Sequence, residues 1–324
     1  MTASDRTRQE KRGPSRFWAI VRYELLWNLR KKKILVVLLV AAMLEVLLLA
    51  LTPALLNIIG EAVTQNPDYV VSTSIPGYIT FFFGMVIVMN SISGEFESGT
   101  VVPLLAKPVS RTTVFLGKLA AALLTLIPAY VLLFVIQVVG GSFVYGPQSH
   151  LYLVPLTIAG AVASTLVWMA IVLAIGSATK SSVLAAVVSV AIYFGLSFAS
   201  GIISGFQGQS WVLTYLPGGG NTGYLIPTAT ASPSLSSISV STGPDGIASA
   251  LTTFVLYPSY YVAFAMLNIS SIGSSGSLTS PTLTVVSTQP LWYVLLTAVG
   301  VALGYIVVFL LIAWFALRRT QISE

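Results

Sequence analysis

Apolar residues run almost unbroken through six stretches of the chain, at about 34–56, 76–93, 113–139, 151–176, 183–205 and 291–317. The runs do not alternate with period two, so they predict helices immersed in hydrocarbon rather than the strands of a barrel. A spanning helix needs about 20 apolar residues, and the second run reaches that length only by starting within the preceding loop.

The segments between the runs differ in kind. Residues 15–33, "SRFWAIVRYELLWNLRKKK", place Phe17, Trp18, Val21, Leu25 and Leu29 at helical spacing, with Arg16, Arg22, Arg30 and Lys31 mostly elsewhere on the wheel. That pattern predicts a helix lying in the membrane interface, either a topology anchor or a connecting helix that also borders a cytoplasmic partner. Residues 206–290 are rich in Gly, Ser, Thr and Pro and carry one charge, Asp245. Within them 247–269, "IASALTTFVLYPSYYVAFAMLNI", is apolar enough to compete as a seventh span. Pro258 interrupts it, and a seventh crossing would carry Arg318 and Arg319 to the opposite side. A broken, re-entrant helical element at the outer interface is expected instead, with Tyr257, Tyr260 and Tyr261 at headgroup level. Asn268 heads an Asn-Ile-Ser triplet, a glycosylation acceptor on the expected outer side.

Composition agrees with a membrane protein. The chain is 56% hydrophobic and 8% charged with mean hydropathy +0.89, whereas soluble domains carry about 25% charged residues. There is no Cys and one His, His150. Disulfides and thiolate metal sites are excluded, and His150 reads as a loop residue, so no metal site is expected. All sixteen Lys and Arg residues fall on one side of a six-span arrangement: in 1–33, at Lys107, Arg111 and Lys118, at Lys180, and at Arg318 and Arg319. The positive-inside rule then places both termini and the loops at 94–112 and 177–182 in the cytoplasm of a multi-pass plasma-membrane protein. The formal charge of +6 belongs to the inner membrane surface, and no nucleic-acid partner is expected. No secretory signal is expected either, because a long polar arm precedes the first apolar run at Ile34.

The polar stretch 93–111, "SGEFESGTVVPLLAKPVSR", lies between the second and third runs. Ser93-Gly94 ends a span, Glu95 and Glu97 follow, Gly99 permits a turn, and Thr100 is a potential N-cap. "VVPLLA" predicts a short helix with Pro103 in its first turn, and Lys107-Pro108 stops it. Val101, Val102, Leu104 and Leu105 form an apolar centre between opposite charges. An ordinary intracellular loop needs neither feature, whereas a partner pocket with an apolar floor and a charged rim explains both.

The sequence "GEFESGTVVPLLAKPVSRTTVFLGKL" closely resembles the motif of ABC-2 type transporter permeases, with its acidic residue, Gly-Thr pair, Leu-Leu pair, Pro-Val-Ser-Arg run and later Gly-Lys in that order. The resemblance implies an all-α polytopic membrane protein. Its parts would be six transmembrane helices, an N-terminal amphipathic connecting helix (15–33), a cytoplasmic coupling helix (94–111) and a large extracellular segment (206–290) between spans five and six, in a single transmembrane domain. It implies that Glu95, Glu97, Gly99, Thr100, Leu104, Leu105, Pro108, Ser110 and Arg111 form a coupling element docked in a groove of a separate ATPase subunit. It also implies an exporter permease that works with a second permease subunit, as homodimer or heterodimer, while ATP and Mg are bound by the partner ATPase. The outer segment departs from the family, being longer and richer in Ser, Thr and Gly than a short re-entrant pair.

Catalytic chemistry is not expected in this chain. "GSATKSS" at 176–182 lacks the Gly-Lys-Ser/Thr order of a phosphate loop and reads better as the second cytoplasmic loop, a smaller contact for the ATPase; Gly117-Lys118 is followed by Leu. No Ser-His-Asp set or paired carboxylate cluster is visible. Glu45 is the one acidic residue deep in a run, where a charge costs roughly 2.5–3.5 kcal/mol. It is either a substrate-pathway or dimer-interface residue, or a protonated carboxyl hydrogen-bonded to a neighbouring span; Gln137 and Asn90 pose the same question more mildly. Other function classes are an ATPase-independent secondary transporter, a polytopic membrane enzyme, and a structural or receptor subunit. Secondary transport calls for intramembrane ionisable relays or internal repeats, for which Glu45 alone is thin support.

Overall fold

The computed structural model describes residues 16–30, 32–59, 63, 65–72, 75–98, 110–207, 211–218, 222–233, 238–268 and 282–319. Its helices are α1 (Arg16–Arg30), α2 (Lys32–Ile59), α3 (Tyr69–Ser72), α4 (Gly77–Val88), α5 (Ser93–Glu97), α6 (Arg111–Tyr145), α7 (Val154–Thr179), α8 (Ser182–Gln207), α9 (Ile247–Leu256) and α10 (Leu291–Arg319). Among the described residues, six helical stretches are long and apolar enough to cross a membrane: Ile34–Leu55, Gly77–Glu97, Arg111–Tyr145, Leu151–Thr179, Ser182–Ile203 and Leu291–Arg319. They coincide with the six apolar runs, and the chain is a multi-pass membrane protein.

Helix α7 is the hub, packing against α4, α6, α8, α9 and α10. Its buried positions include the small residues Gly160, Ala161, Ser164, Thr165, Ala170 and Ala174. Small side chains let helices approach closely where the surroundings supply no hydrophobic drive between them. On α4, a Cβ at Gly84 would lie 3.2 Å from the Thr165 carbonyl oxygen. The fully buried Trp168 meets Phe81 edge-on at 5.1 Å, and Phe81 stacks on Tyr193 at 4.4 Å. Helix α2 leaves Leu35, Val36, Leu39, Val40, Met43 and Leu47 exposed, as a helix facing lipid does.

The expectation of an all-α protein is corrected at one end of the bundle. Strands β1 (Thr222–Ile226), β2 (Ser239–Ser241), β3 (Tyr261–Asn268) and β4 (Thr282–Pro290) form an antiparallel sheet ordered β2-β1-β3-β4. Its core joins Leu225, Val240, Val262 and Phe264 to Ala250 of α9 and to Leu291 and Val294 of α10. The 247–269 stretch is therefore neither a span nor a pair of helices. Helix α9 has ten residues, about 15 Å of rise. The chain turns at Tyr257–Tyr260, around Pro258, and continues as β3. Buried Val262, Ala263, Phe264 and Ala265 make β3 apolar on both faces. Such a short run cannot be distinguished from helix by periodicity.

Polar contacts tie this end together. The Asp68 carboxylate meets His150 Nδ1 at 2.8 Å and accepts the Tyr257 hydroxyl at 3.1 Å, joining the connections after α2, α6 and α9. Desolvation, with the Asp68 charge second, pushes the Tyr257 hydroxyl above the usual phenol range. The Thr252 hydroxyl donates to the Val71 carbonyl at 2.6 Å. Asp245 accepts the Gly218 N–H at 2.9 Å, and burial pushes its carboxyl above the usual range.

Candidate functional site

At the other end lie the start of α2, helix α5, the starts of α6 and α8, and the end of α10. Of the residues expected to form the coupling element, Gly99, Thr100, Leu104, Leu105 and Pro108 lie outside the described residues. Glu95, Glu97, Ser110 and Arg111 flank that segment; Glu95, Glu97 and Arg111 are engaged elsewhere in the chain, and Ser110 caps the helix it precedes.

Glu95 on α5 pairs with Lys118 Nζ at 2.7 Å, and the same ammonium pairs with Glu24 of α1 at 2.5 Å. Lys118 is 6% exposed and Glu24 9%. The local sequence builds this contact. Val21, Glu24 and Asn28 recur at near-helical intervals and form the buried face of α1, which packs along α6. Gly117 admits that helix, since a Cβ there would lie 2.9 Å from Ile20 Cγ2. The Gly-Lys pair thus has two tasks: Gly117 lets α1 approach, and Lys118 gathers two carboxylates from different elements.

Glu97 reaches across to the start of α8. It accepts the Ser182 N–H at 2.7 Å, the Ser181 hydroxyl at 3.0 Å and the Ser182 hydroxyl in a shorter contact. The first N–H groups of a helix have no partner within it, and its N-terminus favours negative charge. A carboxylate from α5 therefore caps α8. The preceding turn places Lys180 at φ 57, with its ammonium 5.8 Å from the centre of the Phe96 ring.

On the far side of the 99–109 segment, Ser110 is the N-cap of α6 and accepts the Thr113 N–H at 3.1 Å. Arg111 donates to the carbonyls of Leu317 at 3.3 Å and Arg318 at 2.8 Å, at the C-terminus of α10. A cation there satisfies unpaired carbonyls and complements the helix dipole. Three of the charges expected at the rim of a partner pocket, Glu95, Glu97 and Arg111, thus anchor the two ends of the segment to α1, α6, α8 and α10, while the fourth, Lys107, lies outside the described residues.

Sequence reasoning did not place Glu24, Lys118, Ser181 or Ser182 in the coupling element, although Lys118 lies in the Gly-Lys pair of the resemblance and Ser181 and Ser182 lie in the 176–182 loop. A signal for the first two was present, in a carboxylate interrupting the apolar stripe of α1 and a Lys beside a Gly on a spanning run. That stripe is also revised, because Trp18 and Leu29 are exposed and the packed face carries Glu24 and Asn28 instead.

Glu45 is 9% exposed on α2, with Tyr78 of α4 within electrostatic reach and no ion-pair partner among the described residues. Asn268 ends β3 opposite Thr282. No three acidic, His or Cys residues are grouped to hold a metal among the described residues.

The family model described as ABC-2 family transporter protein matches residues 18–320, from α1 to the end of α10. The chain belongs to that family. No match is found among curated proteins. Family membership makes the chain the membrane component of an ABC transporter, working with ABC ATPase partners.

Proposed function

We propose that this chain is the permease subunit of an ABC exporter, and that residues 94–111 carry movement from a separate, cytoplasmic ATPase subunit into the spanning helices. The observation that carries this reading is the anchoring of both ends of the segment: Glu95 and Glu97 on one side, Ser110 and Arg111 on the other. A displacement of the segment would pull on α1, α6, α8 and α10 together, as a rocking of helices between inward- and outward-facing states requires. The distribution of basic residues puts this end, and both termini, in the cytoplasm. ATP and Mg belong to the partner ATPase, and a second permease subunit completes the pathway. Glu45 belongs to that pathway rather than to the packing of the bundle.

The test is reconstitution of the chain with its ATPase in vesicles, with ATP hydrolysis and substrate movement measured together. Candidate substrates should stimulate hydrolysis only when this chain is present. Substrate movement by the chain without the ATPase would contradict the proposal.

A further inference from the structure

Helix α1 has two unlike faces. One packs on α6 through Val21, Glu24 and Asn28. The other presents Trp18, Tyr23, Leu26, Trp27 and Leu29, from 45% to 65% exposed. Arg22, Leu26 and Arg30 line up along this outer face at four-residue spacing, with aromatic residues on either side, and Lys32 follows at the start of α2; all are exposed. Five large apolar side chains on a 15-residue helix suit neither water nor, beside two arginines, hydrocarbon. They suit the headgroup layer, where amphipathic rings and long cationic side chains both find their medium. Glu24 is the sole carboxylate of the helix, and it is turned inward onto Lys118. The outer face is therefore purely cationic, complementary to anionic headgroups. On the inner side, Lys118 links Glu24 to Glu95, which precedes the segment read above as the coupling element.

We propose that α1 binds anionic phospholipid headgroups through Arg22, Arg30 and Lys32, seated among Trp18, Tyr23 and Trp27, and that Glu24–Lys118–Glu95 transmits its position to α5. The charge of the bilayer surface thereby sets the posture of the coupling segment. This consequence rests on reading 94–111 as that segment; the lipid contact and the relay to α5 do not.

The chain has no Cys, so single cysteines can be labelled cleanly. The full chain carries an environment-sensitive fluorophore at Ala19→Cys on the outer face, or a spin label at Ser98→Cys after α5. It is placed in vesicles of phosphatidylcholine alone or mixed with phosphatidylglycerol. The Ala19 label should shift to the blue with phosphatidylglycerol, and high salt should reverse the shift. Arg22→Gln and Arg30→Gln should each weaken that preference roughly fivefold. The Ser98 label's mobility should follow lipid composition in the parent. It should cease to do so in Glu24→Gln and in Glu95→Gln, while the Ala19 response persists in both. Three results would overturn the proposal. The Ala19 label could be indifferent to phosphatidylglycerol or equally shielded in both vesicles, as a protein cover would make it. Inorganic phosphate could reproduce the shift. The Ser98 response could survive both Gln substitutions. None of these readouts needs the ATPase, so failure here is distinct from failure of the permease reading, which shows only in ATP-driven transport.

Discussion

Lys118 holds two carboxylates, the buried Glu24 and the half-buried Glu95, on one ammonium, which makes it the residue whose loss should cost most at this end of the bundle. Lys118→Met leaves Glu24 and Glu95 facing each other without a cation, and should destabilise the protein by about 3–5 kcal/mol. Thermal unfolding in detergent checks this, and adding Glu24→Gln to the Met variant should recover part of the loss. Glu45→Gln behaves differently: it keeps shape and hydrogen-bonding capacity while removing the titratable group. It should assemble with normal stability and show reduced transport; parental transport would make Glu45 a structural residue. Asp245 carries a pH signature. Its carboxyl is raised by burial, so the folded protein holds that proton longer than the unfolded chain does. The stability it contributes is complete below the ordinary carboxylate value of 3.8 and is lost as pH rises through the raised value. Asp245→Asn should flatten the melting temperature against pH over that window. At this scale the sequence singled out Glu95, Glu97, Ser110 and Arg111 as parts of a coupling element. It could not show their partners, because Glu97 meets Ser182 across 85 residues and Glu24 meets Lys118 across 94.

The spanning helices were legible because each is a long apolar run, and length alone decides that assignment. The sheet was not. Strand β3, "YVAFAMLN", is buried on both faces and so lacks alternation, and β1 has only five residues. Gly160 shows how the sheet end is fixed to the bundle. A Cβ there would lie 2.6 Å from Ala248 Cα, a backbone contact that cannot yield as a side chain would. Gly160→Ala should push α9 from α7 and cost about 1–3 kcal/mol. The same change at Gly195, which has open space around it, serves as the control in the melting experiment and should leave stability near parental.

The whole molecule is polar in a topological sense. Lys118, Lys180, Arg318 and Arg319, with α5, the α7–α8 turn and the end of α10, share one end; the sheet and α9 occupy the other. Single cysteines at Ser98 and Ser181 should react with impermeant reagents only from the cytoplasmic side, and those at Thr228 and Ser239 only from outside. The side assigned to each end comes from the basic residues of the sequence, and this labelling tests it. The apolar centre of the coupling segment is where the account as a whole is most exposed to test. Burying a Leu contributes about 1.5–3 kcal/mol, against about 0–1 for an exposed ion pair, so Leu104 and Leu105 should dominate ATPase binding. An Asp at either position would bury an unpaired charge. The decisive measurement is ATPase co-purification and substrate-stimulated ATP hydrolysis for Leu104→Asp and Leu105→Asp beside the parent. Release of the ATPase, or hydrolysis that no longer responds to substrate, is the predicted result; normal association with normal coupling in both variants would contradict it.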